Sequence, residues 1–500
     1  MDLVFKENKL EYLSRVLCET LTQEQTTELI VPDNYPDAQR VVDAWGTAVI
    51  RNAQCGEDNG SVSGQVQAGV MFVGEDGEAY TMHLQIPFSV RKEFDAHLEE
   101  KTMQCSCTVR SVDARILNSR KLLVRAGISC TIMVYGEGGC TTYEPPTDQP
   151  KLQLKQTVLP MCVPLGLGEK TFVLNDELEL PAGKPAIGRV LKCVFVPQVL
   201  EQRPVGSRGV FKGKLCIHSL YESEDGRLQR FDGELPFSQY VDMSGEFEEK
   251  QLETILTLTS AEAQPDGQME CRRLLLSVGF LAQCTAYGQE EFKIVEDAYC
   301  TDGEFRPEWK EWSTNAVLDR QIFKESVAAS AEGEAASILD TCVGVDEPTC
   351  QRRDGKVSIE LPIFCDVLYY DSEGQLQSKR LHSTVAMETD LAQNANCRVS
   401  GVEISEVFCS AAGGRMEMRC SVSTQVESYA VHHLRSVMGG GIEPLKQEEE
   451  RPGVILRRVE TQCDVWDIAK EARTAIQGIV AANGLQDTQV EPGTMLLIPM

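Results

Sequence analysis

Six histidines and four tryptophans are all that 500 residues supply of the side chains that most often ligate metals or stack on sugars. No Cys-x-x-Cys pair occurs; the closest cysteines are Cys105 and Cys107, and the adjacent His432 and His433 would point to opposite faces of a strand. A structural zinc needs four converging ligands, so no metal and no cofactor is expected. Basic residues are scarce as well: 48 Lys and Arg stand against 76 Asp and Glu, a net charge of −28. Phosphate backbones and anionic headgroups require the opposite balance, which argues against nucleic acid and acidic lipid as partners. No apolar run approaches the ~20 residues that cross a bilayer, so no membrane insertion is expected. The most apolar stretch, 274–281, has the length of a core strand. The N-terminus lacks the basic and apolar regions of a secretory signal, and the expected compartment is the cytosol.

Reactive constellations are missing too. Gly166-Leu-Gly168-Glu-Lys170-Thr171 has the wrong spacing to cradle phosphate, and Gly-x-Ser-x-Gly and His-Glu-x-x-His do not occur. Ser89-Val-Arg-Lys92 matches Ser-x-x-Lys without its companion motifs and reads as a strand end. No catalytic residue is expected, and the chain reads as no enzyme. Cysteine, by contrast, is plentiful: 19 residues from Cys18 to Cys463. An odd number, evenly spread without a secretory signal, reads as small buried hydrophobes rather than a disulfide framework.

What is present is a repeat. Gly64-Gln-Val-Gln-Ala-Gly-Val-Met-Phe-Val-Gly-Glu-Asp-Gly77 matches Gly213-Lys-Leu-Cys-Ile-His-Ser-Leu-Tyr-Glu-Ser-Glu-Asp-Gly226 at an offset of 149 (Gly64 to Gly213). The offset carries Pro36 onto Pro185 and Ile86-Pro87-Phe88 onto Leu235-Pro236-Phe237, and a third copy lies 148 further on, from Ile363 to Gly374. Val66, Ala68, Val70 and Phe72 alternate with other residues, as do Leu215, Ile217, Ser219 and Tyr221, then Ile363, Cys365, Val367 and Tyr369. Period-two alternation predicts half-buried strands. The Asp76-Gly77, Asp225-Gly226 and Glu373-Gly374 steps that follow predict hairpins, because Gly accepts positive φ. Further strands are expected over 399–407 and 416–422, split by Ala411-Ala-Gly-Gly414.

The fold class is therefore mainly β: three tandem, sandwich-like β-rich repeats followed by a small βααβ module. The boundaries read as 1–140 for the first repeat with its N-terminal segment, 176–300 for the second, 336–438 for the third and 453–500 for the module. Stretches 141–175, 301–335 (partly helical) and 439–452, with its Glu448-Glu449-Glu450 run, read as linkers. In the module, Val454 to Val459 and Met495 to Ile498 read as strands. Asp464 caps a first helix, and Thr474-Ala-Ile-Gln477 opens a second as a capping box, closed by Asn483-Gly484.

The run Asp464-Val-Trp-Asp-Ile-Ala…Asn483-Gly-Leu485…Pro492-Gly493-Thr-Met-Leu-Leu-Ile-Pro499 resembles a LysM domain. The resemblance implies a shallow groove for N-acetylglucosamine glycans, formed here by Gln462, Cys463, Asp464 and Val465 with Leu485, Gln486, Asp487 and Thr488. Gln462-Cys463-Asp464 stands where the family has Gly-Asp-Thr/Ser, so the Gly that lets backbone approach a sugar is absent, and the groove is open to a protein partner as well as to a peptidoglycan or chitin-like glycan. Trp466 reads as module core rather than sugar platform. The repeats resemble SPOCS domains, and the whole order resembles SipL-type spore coat assembly proteins. That resemblance implies a scaffold in the mother-cell cytosol, at the forespore surface during sporulation, bound to a coat-basement morphogenetic ATPase. The alternative it leaves is a peptidoglycan-binding protein of cortex or wall.

Overall fold

In the computed structural model most residues are in strands. It describes all residues except 1, 95–99, 148, 150, 268–269, 354–355, 391–394 and 445–451, and, within strands, the side chains of 314–316, 318, 353 and 432. The expected Glu448 to Glu450 run and the His432 side chain thus lie outside the described residues.

Three units share one strand plan. The first holds β1 (Asp2–Val4), β2 (Lys6–Ile30), β3 (Ala38–Cys55), β4 (Asn59–Gly74), β5 (Ala79–Glu93), β6 (Lys101–Asn118) and β7 (Lys121–Glu144). The second holds β8 (Leu152–Glu179), β9 (Ile187–Val205), β10 (Arg208–Ser223), β11 (Leu228–Asp242), β12 (Gln251–Pro265) and β13 (Arg273–Cys300). The third holds β14 (Gly303–Glu332), β15 (Ser337–Val345), β16 (Thr349–Arg353), β17 (Lys356–Tyr370), β18 (Leu376–Asp390), β19 (Asn396–Ala412) and β20 (Arg415–Pro444). In each, a meander (β3-β4-β5, β9-β10-β11, or β17 flanked by β18 and by β15 and β16) forms one antiparallel sheet. The opening strand pairs with the closing one, which pairs with the strand before it, to form the other: β2-β7-β6, β8-β13-β12 and β14-β20-β19. The N-terminal β1 pairs with the end of β20, and Val317 of β14 pairs with Cys162 of β8, so the second sheets of the second and third units join, while β2-β7-β6 stays a separate sheet.

The sheets face each other as layers. Val62, Val66, Val70, Phe72 and Ile86 of the first meander pack on Cys105, Val124, Ile128 and Ile132. Leu215 and Ile217 meet Val278 and Phe280 in the second unit, and Ile359, Leu361 and Ile363 meet Met418 and Val422 in the third. The alternating residues named above are buried, Tyr369 by half. Burying such side chains contributes roughly 1.5–3 kcal/mol each. The turns hold as expected: Gly77, Gly226 and Gly374 take φ of 83°, 77° and 77°, and each N–H bonds the carbonyl three residues back.

Stretches 141–175 and 301–335 are not linkers. The first holds most of the 28-residue β8 and the second all of the 30-residue β14, and 301–335 has no helix. Their apolar alternation is weak because backbone ladders to β13 and β20 hold them, with half-exposed side chains. The linker expected from 439 begins inside β20. Cys107 and Cys130, facing each other across β6 and β7, form a disulfide that spacing did not suggest.

The terminal module holds β21 (Val454–Arg458), β22 (Cys463–Asp464), α1 (Val465–Ala472), α2 (Ile476–Asn483), β23 (Gln489–Val490) and β24 (Met495–Pro499). The order gains two short strands over βααβ. Asp464 caps α1 by accepting from the Trp466 N–H at 2.8 Å. The capping box at Thr474 does not form: Ala475 is the N-cap of α2, without a side-chain cap, and the Thr474 hydroxyl donates to the Pro499 carbonyl instead. Gly484 ends α2 at φ 61°.

Candidate functional site

The two loops expected to form a groove meet in the module. Cys463 and Asp464 pair with Val490 and Gln489, and the Val465 N–H donates to the Thr488 carbonyl at 2.7 Å. Gln462, Gln486, Asp487 and Thr488 are exposed there, and Cys463, Asp464 and Leu485 are half-buried. Val465 is fully buried in the module core and cannot touch a ligand. Asp464 is committed internally: one oxygen caps α1 and the other accepts from Gln489 Nε2 at 3.1 Å and Thr488 Oγ1 at 3.5 Å.

The module is docked on the end of β13. Asp297 Oδ2 accepts from Trp466 Nε1 at 2.9 Å and from Lys470 Nζ at 2.6 Å. The Tyr299 hydroxyl donates to the Thr474 carbonyl at 2.7 Å, and its ring meets the Trp466 ring edge-on at 5.0 Å. Tyr299 is part of the module's own apolar cluster, and burial pushes its phenol well up. Trp466 is 4% exposed, so its indole is spent on the core and on Asp297 and offers no face to a sugar.

The units meet around a threefold-like axis. Asp43 of β3, Lys192 of β9 and Asp340 of β15, equivalent in the repeat, converge: Lys192 Nζ lies 2.8 Å from a carboxylate oxygen of each. Burial opposes the ammonium charge, but the two carboxylates outweigh it and hold the Lys192 pKa well above its ordinary value. Burial raises Asp43, whereas at Asp340 it is outweighed by Lys192 and Arg230 and the carboxyl is lowered. Met71, Leu220 and Leu368, also equivalent, close an apolar layer beside this triad.

A second ionic centre joins the long sheets. Glu427 of β20 is wholly buried and takes Arg15 of β2 at 2.5 Å, Arg398 of β19 at 2.9 Å and Arg320 of β14 at 3.7 Å. Arg320 also pairs with Glu253 of β12 at 3.0 Å and lies 3.7 Å over the Tyr287 ring. Besides Lys192–Asp43, the first and second units meet through neutral amides: Gln104 Nε2 donates to the Cys284 carbonyl at 3.2 Å, and the Cys105 N–H to Gln283 Oε1 at 2.9 Å. A cleft of about 620 Å³ between the first and third units is lined by Arg110, Arg125, Arg380, His382, Asp113 and Asp346. Its arginines are paired with carboxylates, as in Arg380–Asp113 at 3.3 Å. Among the described residues no group of His, Cys, Asp or Glu is placed to hold a metal ion. Ser89 is exposed and Lys92 is paired with Glu19 at 2.7 Å.

Sequence reasoning named the two module loops that the structure brings side by side and missed Asp297, Tyr299, Glu427 and Lys192. The repeat offset that carries Asp43 onto Lys192 and Asp340 was the available signal for the axis; Asp297 and Tyr299 had none, lying 169 residues or more from their partners. Among the described residues no helix is long and apolar enough to cross a membrane. No curated protein and no solved structure matches the chain. Residues 186–264, the span of the second meander and of β12 up to Gln264, match the family described as SipL, SPOCS domain.

Proposed function

We propose that this chain is a non-enzymatic scaffold of endospore coat assembly, acting in the mother-cell cytosol at the forespore surface. It would present three tandem SPOCS units and a terminal LysM module to a coat-basement morphogenetic ATPase. The observation that carries this reading is the SPOCS match over 186–264, since the strand plan inside it recurs on both sides. The charge clusters support a presenting role: Lys192 pairs with carboxylates of the first and third units and Glu427 with an arginine of the first, so these charges are satisfied internally. At the module a protein partner is favoured over a glycan, because the Trp466 indole is covered and Asp464 is committed to its own cap.

Affinity capture from sporulating cells tests this, using the parent chain and a Gln462→Arg, Gln486→Arg variant. Both residues are exposed and outside the core, so the variant retains the fold. The parent is expected to retain the ATPase and the variant to lose it by about tenfold or more, the equivalent of ~1.4 kcal/mol. Chito-oligosaccharide is expected to leave capture unchanged. Retention on insoluble peptidoglycan, released by chito-oligosaccharide, would replace this reading with the glycan one.

A further inference from the structure

Among the described residues, the other lysines paired with carboxylates keep more than a quarter of their side chains in water. Lys192 is 4% exposed, and its partners Asp43 and Asp340 are 9% exposed each. Its Nζ lies 2.8 Å from Oδ2 of either aspartate, so each acyl carbon is one bond beyond the contact. The Trp45 ring covers the ammonium at 5.2 Å, and Met71, Leu220 and Leu368 close the layer beside it. The two aspartates are not alike. Asp340 is held from other sides too: its Oδ1 accepts from the Thr341 N–H at 2.9 Å and faces Arg230 at 3.5 Å. The Asp43 carboxylate has Lys192 as its sole hydrogen-bond partner among the described residues. A cavity of about 210 Å³ on the seam between the first and third units touches all three side chains.

We propose that Lys192 and Asp43 condense to an isopeptide bond that joins the second unit covalently to the first, with Asp340 as the proton carrier. The Lys192 ammonium first hands a proton to Asp43 across their contact, turning an ion pair into an amine and a carboxylic acid. The transfer removes two charges from a buried site, where charge is costly. The amine nitrogen then bonds to Asp43 Cγ, whose carbonyl electron pair moves onto oxygen, and Asp340 takes a proton from that nitrogen. The carbonyl re-forms, the C–OH bond breaks, and the hydroxyl leaves with the proton from Asp340. One amide and one water are formed, Asp340 ends as the carboxylate it began as, and nothing is oxidised or reduced. The water leaves through the cavity. An unactivated carboxyl can react here because the partners are held in contact; well-oriented intramolecular reactions reach effective molarities of about 10⁵–10⁸ M. At Lys192 burial favours the free amine and the two carboxylates the ammonium, and the carboxylates win at rest, so the proton leaves only to a carboxylate in contact. Burial raises Asp43 toward the neutral acid that the attack needs, whereas at Asp340 burial is outweighed by Lys192 and Arg230 and the group stays ionised. The bond ties positions 149 residues apart where equivalent strands of the three units meet.

The test is the intact mass of the folded full chain after reduction of its Cys107–Cys130 disulfide, followed by peptide mapping with fragmentation. The expected mass is short by one water, and the expected cross-linked peptides join Lys192 to Asp43. Asp340→Asn keeps the shape and removes the proton carrier, and Lys192→Arg keeps the charge without the amine; both are expected at full mass. A parent at the full mass of its sequence overturns the proposal. So does a lost water that maps to Asp340 or to an Asp-Gly step such as Asp76-Gly77, where the chain can cyclise on itself, and so does a link that survives Asp340→Asn.

Discussion

Glu427→Gln asks how much one carboxylate contributes to holding the three units together. The substitution keeps the shape and one acceptor oxygen and removes the charge that faces Arg15 at 2.5 Å, Arg398 at 2.9 Å and Arg320 at 3.7 Å. Glu427 is 0% exposed, so water cannot replace it. Removing one partner of a buried pair leaves uncompensated charge and costs roughly 3–5 kcal/mol, a large share of the ~5–15 kcal/mol by which domains are stable. Glu144→Gln is the control: its pair with Lys6 spans 3.6 Å with both side chains more than half exposed, and such pairs contribute about 0–1 kcal/mol. Urea unfolding followed by tryptophan fluorescence measures both. The pH dependence is a second readout. Burial raises the Glu427 pKa, but Arg398, Arg15 and Arg320 outweigh it, and the folded value lies below the ordinary 4.5. A folded pKa below the unfolded one means that the stabilisation is complete above about 4.5 and is lost as pH falls through the folded value. The gap between parent and variant should therefore be constant near neutrality and shrink in acid. A gap at neutral pH no larger than that of Glu144→Gln, or one unchanged in acid, refutes the reasoning.

Asp297→Ala should release the Trp466 and Lys470 hydrogen bonds and loosen the module by roughly 1–3 kcal/mol, read as faster hydrogen exchange over 465–472 with none over 359–367; unchanged exchange would count against the docking. Lys192→Met leaves two buried carboxylates face to face, costing ~3–5 kcal/mol near neutrality, and calorimetry should find the variant recovering stability as acid protonates Asp43 and then Asp340. A variant no better off in acid would contradict the triad. Gly226→Ala has open space around the new Cβ but must hold φ 77°, so it should cost about 1 kcal/mol through the backbone alone.

The strands legible in the sequence were those whose two faces differ. Leu274, Leu276, Val278 and Phe280 are buried while Leu275 is 45% exposed, which is the alternation the eye finds. The second half of β8 alternates only between exposed and half-exposed, so nothing in its hydropathy separates it from a linker. Its evidence is the ladder to β13, which no local pattern records. The hairpins were legible because Gly77 and its counterparts answer a backbone demand. The Cys107–Cys130 bond was not, because cross-strand partners 23 residues apart carry no spacing rule. At the module the two adjoining loops were readable from local motif, whereas its seat on Asp297 depends on a single carboxylate and one tyrosine far away in the chain.

The units are alike in strand plan and unlike where they meet, and the difference has a physical use. Three identical units could close in any order, or with units of a second chain, since each interface would accept every other. Here one junction holds two amides on backbone groups, Gln104 donating to the Cys284 carbonyl and Gln283 accepting from the Cys105 N–H, and another is an ion pair of Arg320 with Glu253. A third sets Arg15 against Glu427. Swapping any two units would bury an arginine against an amide or a carboxylate against a glutamine, leaving a buried charge without its partner. Mismatched junctions thus exclude the wrong orders more strongly than the matched ones stabilise the right one. The single lysine among two aspartates at the axis follows the same logic: three aspartates or three lysines would repel in the interior, and only the mixed triad lets equivalent positions meet.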